Sequence, residues 1–97
     1  MSNRSALYQA FAAAYLAHVE AVEQMKADKQ LFHAECSAFR DALHTGDLAE
    51  IQNAGRKLHE AQAALADSRE AVRAAHEAFR LVLAQLRAAD RKRSNEE

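Results

Sequence analysis

Apolar residues recur along the second half of the chain with a heptad period. Ile51, Leu58, Leu65, Val72, Phe79 and Leu86 occupy one line, and Ala54, Ala61, Ser68, Ala75, Val82 and Ala89 follow three residues behind. One large and one small residue per repeat is what a helix needs when a second helix lies close along it. The first half carries a matching pattern. Tyr8, Tyr15, Val22, Lys29, Cys36 and Leu43 recur every seven residues, with Phe11, His18, Met25, Phe32 and Phe39 three places on.

Between the two stripes stands His44, Thr45, Gly46, Asp47, the strongest stop-and-start signal in the sequence. Gly46 can take the left-handed conformation that closes a helix, and Asp47 with Glu50 three residues later reads as a capping box that opens the next. The pattern therefore predicts an all-α fold: an antiparallel two-helix hairpin, coiled-coil-like with an Ala-rich seam, pairing into a four-helix bundle. Its expected organisation is a single hairpin over 1–97. Helix 1 runs over about 4–44, the turn is 45–47, helix 2 covers about 48–92, and a polar tail, 93–97, frays from Ser94. Ser2 or Ser5 is the expected cap of helix 1.

In an antiparallel pair bent at this turn, facing residues should have numbers summing to about 90. That pairs Phe39 with Ile51, Cys36 with Ala54, Phe32 with Leu58, Met25 with Leu65, Val22 with Ser68, Tyr15 with Ala75, Phe11 with Phe79 and Tyr8 with Val82. His18 then faces Val72, and Lys29 faces Ala61. Polar residues at those places penalise mispaired registers.

Length and composition bound what such a hairpin can be. The 97 residues contain no Pro and two Gly, so little interrupts helices of roughly 40 residues, about 60 Å each. A lone helix pair covers one stripe per helix, and its stability stays modest unless a further surface is covered. The flank of the seam offers one: Leu7, Ala14 and Ala21 on helix 1 beside Ala71 and Ala78 on helix 2, with Leu16, Leu81 and Leu83 left off the seam in the same half.

The opposite flank is basic. Arg69, Arg73, Arg80, Arg87 and Arg91 cluster within about 40° at 100° per residue, with His76 alongside and Lys26, His33 and Arg40 on helix 1. Glu70 and Glu77 neutralise part of that charge three residues before Arg73 and Arg80. The edge reads as a solvated, salt-laced face, with docking of an acidic partner as the functional reading. A net charge of −1 and the lack of any reading motif argue against nucleic acid, which stays a weaker alternative through Arg69, Arg73 and Arg80.

Chemistry is sparse. His33 and Cys36 stand three apart, and His59 would lie across the hairpin, which makes a metal-binding sensor the sharpest chemical alternative; a tetrahedral zinc site needs three or four converging ligands. No Glu has a His three residues on, so the carboxylate-bridged di-iron arrangement is excluded. A helix pair offers a groove rather than an active-site pocket, and we expect no enzyme, no cofactor and no resident metal. Cys36 is alone, the N-terminal segment lacks a signal peptide's continuous apolar run, and no stretch approaches a membrane span; these features make a cytoplasmic protein the expectation.

Parts of this pattern resemble three known families, and in each case the family's defining residues are missing here. The length and central Gly46 turn resemble small hairpin proteins exported by mycobacterial-type secretion systems, whose Trp before the Gly has no counterpart here. Ala42 to Leu58 resembles the phosphotransfer segment of histidine phosphotransfer domains, with Arg56 where the phosphorylated His stands and Glu60 where a glycine follows. The architecture is also similar to small type III secretion chaperones, without a shared motif. The functional expectation is a non-enzymatic protein–protein interaction module, an adaptor, secretion-chaperone-like or inhibitor protein. It would act as a homodimer through Leu7, Ala14, Leu16, Ala21, Ala71, Ala78, Leu81 and Leu83, with Arg69, Arg73 and Arg80 as a second contact edge.

Overall fold

The computed structural model describes residues 3–96. These form two helices packed as a hairpin, α1 over Asn3–Thr45 and α2 over Leu48–Glu96, and contain no strand. Ser2 lies outside the described residues, and Ser5 sits inside α1 rather than at its cap. Helix α2 continues through Glu96, beyond the expected end near residue 92. No Gly or Pro follows Gly55 to stop it, and Arg93 in the last turn complements the helix dipole.

The bend is built from three consecutive residues, Thr45, Gly46 and Asp47. Gly46 takes φ 71°, the left-handed conformation that a side chain disfavours. Thr45 Oγ1 donates to the Ala42 carbonyl at 2.7 Å and accepts the Asp47 amide at 3.2 Å. Asp47 Oδ1 accepts the amides of Ala49 at 2.9 Å and Glu50 at 3.3 Å, so Asp47 is the N-cap of α2. The capping box is thus half realised. Its second half, the Asp47 amide, is met by Thr45 rather than by the Glu50 carboxylate.

The chain divides into two units, each containing a segment of both helices. The turn-side unit, residues 22–70, holds most of the tight packing: Ala42, Ala54, Ala61, Leu65 and Ser68 are buried. The open-end unit, up to residue 21 and from residue 71 on, buries Leu86 alone to that degree among the described residues.

On α2 every position of the expected stripe, from Ile51 to Ala89, is buried or half-buried. On α1 the outcome differs by one residue. Phe11, His18, Met25, Phe32 and Phe39 are half-buried as expected, but their companion line is Leu7, Ala14, Ala21, Asp28, Glu35 and Ala42. Tyr8, Tyr15, Lys29 and Leu43 are exposed instead, while Val22 and Cys36 are half-buried. The helix is turned so that small residues, Ala14, Ala21 and Ala42, take inward places on α1 while Tyr8, Tyr15 and Lys29 stay exposed.

Register shifts too. Ser68 Oγ donates to Asp28 Oδ2, the Phe39 ring packs against Gly55, His18 faces His76, and Arg4 pairs with Asp90 at 3.3 Å. These partners have numbers summing to roughly 94 rather than about 90, one helical turn away from the expected register. The physical reason is the bend: its centre lies between Gly46 and Asp47, where Asp47 already caps α2. Phe11 and Phe79 still meet, with ring centroids 5.1 Å apart, because long side chains reach across a turn. Val22 does not take Ser68, whose partner is Asp28.

Candidate partner-binding faces

The rotation of α1 redistributes the expected contact residues. Leu7, Ala14 and Ala21 are half-buried on the line that α1 turns inward, so the flank they were expected to offer is occupied by the hairpin itself. Ala71 and Ala78 remain exposed, as do Leu16 and Leu81, at 56% and 60% accessibility. Leu83 is half-buried. At 100° per residue Leu81 and Leu83 project from different sides of α2, so these residues do not make one continuous surface.

What the sequence pattern missed is a second apolar line on α1 within the open-end unit. Tyr8, Ala12, Tyr15 and Val19 are all exposed and fall within about 60° of one another at 100° per residue. Their spacing of four, three and four is that of a helix-packing seam. The signal is present in the sequence, where the heptad period equally well places these tyrosines in the hairpin's own seam.

Side-chain contacts show which flank this line occupies. Arg4 donates to Tyr8 Oη at 3.1 Å, lies over the Tyr8 ring at 5.5 Å, and also reaches Asp90. The hydrogen bond to Tyr8 holds the Arg4 guanidinium above its ordinary pKa, the Asp90 carboxylate adding to the effect. Tyr15 meets Phe79 at 6.2 Å, and His18 meets His76 at 5.6 Å. Asp90, Leu83 and His76 share one heptad line of α2, so that line and the Tyr line border the same flank.

Beside them stand the exposed Arg73, Arg80 and Arg87. Arg80 pairs with Glu77 at 3.5 Å across one helical turn. In the open-end unit, one flank therefore carries an aromatic and aliphatic column on α1 and an arginine column on α2. Arg69 is exposed on α2 within the turn-side unit.

The chemical alternative does not assemble. Among the described residues no three His, Cys, Asp or Glu side chains come together to hold a metal ion. His33 and His59 are exposed, and Cys36 is half-buried. Among the described residues, an open depression is lined by Ala84, Arg87 and Arg91, two cations and a methyl group. No described helix is long and apolar enough to cross a membrane.

No protein-family model matches the chain, and no curated protein or solved structure matches it.

Proposed function

We propose that this chain is a non-enzymatic interaction module that works by packing its exposed helical surface against other helices, most simply as a twofold homodimer forming a four-helix bundle. The observation that carries this reading is the imbalance of the open-end unit. It leaves Tyr8, Tyr15, Leu16, Val19 and Leu81 in water while burying Leu86 alone among its described residues.

The accessible surface points the same way. It amounts to 7197 Å² at 10.7 kDa, against roughly 5,500 Å² for a folded monomer of that mass. The excess on one chain is about twice the 800 Å² or so that each partner loses in a standard protein–protein interface. A helical partner suits the spacing of the uncovered residues, because knobs at intervals of three and four fit the grooves of another helix.

Adaptor, secretion-chaperone-like and inhibitor roles all use such a surface, within the cytoplasm or elsewhere. Sedimentation equilibrium of the full chain from micromolar to millimolar concentration tests the reading. A two-chain mass that dissociates on dilution is expected; a one-chain mass at every concentration overturns the homodimer.

A further inference from the structure

We infer that the homodimer forms through the tyrosine–arginine flank of the open-end unit, a second copy laying its arginine column over the aromatic column of the first. This rests on the self-association reading above and specifies its surface. The argument is one of self-complementarity.

A twofold axis parallel to the helices leaves heights along the bundle unchanged and exchanges the two columns. Helix α1 of one copy then lies antiparallel to α2 of the other, and facing numbers keep the sum of roughly 94 seen within the hairpin. Leu83 falls between Tyr8 and Ala12 of the second copy, where the alanine leaves room for it. Arg80 falls beside Ala12 and Tyr15. Its guanidinium can cover a ring while its stem covers methyl groups, as Arg4 already covers Tyr8 within the chain.

The alternative twofold, perpendicular to the helices, would set arginine against arginine and tyrosine against tyrosine, and so forgoes every contact of a guanidinium with a ring of the other copy. The flank bearing Ala71, Ala78 and Leu81 offers one large apolar side chain among alanines and no aromatic for an arginine to cover.

Charge-reversal variants of the full chain discriminate these faces by sedimentation equilibrium, with circular dichroism confirming helicity. Ala12→Lys with Val19→Lys sets new cations against the arginine column of the other copy, and the dimer should weaken by about 100-fold or more. Adding Arg80→Glu to that variant should restore most of the loss. Ala78→Lys with Leu81→Lys should change dimerisation less than about threefold.

A covalent readout is independent of those charges. Chains carrying Ala12→Cys and chains carrying Leu83→Cys, each with Cys36→Ser, should form a mixed disulfide dimer when oxidised together, two thiols losing two electrons and two protons to the added oxidised glutathione. Neither should cross-link efficiently alone. A dimer that withstands the Lys pair and gives no mixed disulfide, or one broken by the Ala78 and Leu81 variant instead, overturns this face while leaving self-association intact. A one-chain mass for the unaltered protein overturns both.

Discussion

At the scale of single residues, the bend is the most exacting place in the chain. Gly46 sits at φ 71°, with nothing within 4 Å of where a Cβ would be, so its requirement is conformational and not steric contact. Gly46→Ala should cost about 1–2 kcal/mol, the penalty of placing an L side chain in the left-handed region. Urea denaturation of the variant checks this, and an unchanged midpoint would show that the bend tolerates another conformation.

Ser68 and Asp28 are the second residue-scale feature. Ser68 is 6% exposed and donates to a carboxylate that also accepts from Gln24 at 3.1 Å. Asp28→Ala leaves a buried hydroxyl without its acceptor and should cost about 1–3 kcal/mol, whereas the Asp28→Ala, Ser68→Ala double variant should recover part of that. A double-mutant cycle showing no coupling would remove the bond from the energetics. Neither residue stood out in the sequence as a pair. Lys29, the polar residue that the heptad period places in the seam, is exposed, and Asp28 beside it turns inward.

At the scale of elements, the two helices differ in how firmly their sequences orient them. The α2 stripe was readable because its large and small residues alternate on two lines with polar residues on either side. Gly55 shows how closely α1 approaches there: a Cβ at that position would lie 3.3 Å from Phe39 Cε1. Gly55→Ala gains roughly 1 kcal/mol of helix propensity, and the ring must yield by a few tenths of an ångström. We therefore expect a stability change near zero in the native background. In a Phe39→Leu background the same substitution should stabilise by about 1 kcal/mol, as thermal unfolding by circular dichroism would show. Equal effects in both backgrounds would mean that the Phe39 contact carries no strain.

For α1 the sequence left two solutions. Leu7 and Tyr8, Ala14 and Tyr15, Ala21 and Val22, and Ala42 and Leu43 are adjacent apolar pairs, so either member could point inward. The structure chose the first of each pair. That choice moved Leu7, Ala14 and Ala21 out of the candidate contact set and brought Tyr8 and Tyr15 into it. Because Ala14 is half-buried on the inward line, Ala14→Glu should destabilise the hairpin itself by about 1–3 kcal/mol, measured by urea denaturation under dilute conditions.

At the scale of the whole molecule, stability and association are coupled if the exposed surface is an interface. The thermal midpoint should then rise with chain concentration, since anything that binds the folded form alone stabilises it by mass action. Scans across a hundredfold range of concentration test this, and a constant midpoint would separate folding from assembly.

What the amino-acid order determined by itself was the class of fold, the place of the bend and the inward face of α2. Those features are local: helix propensity over long Pro-free stretches, a glycine and a capping aspartate in sequence, and one unambiguous apolar period. Tertiary packing decided the rotation of α1, the one-turn change of register and, through them, which aromatic residues remained in water. It could do so because α1 is apolar over a band wider than one partner covers. The final angle puts Ala14, Ala21 and Ala42 on the inward line, where small side chains allow close helix approach, and brings Asp28 to the hydroxyl of Ser68.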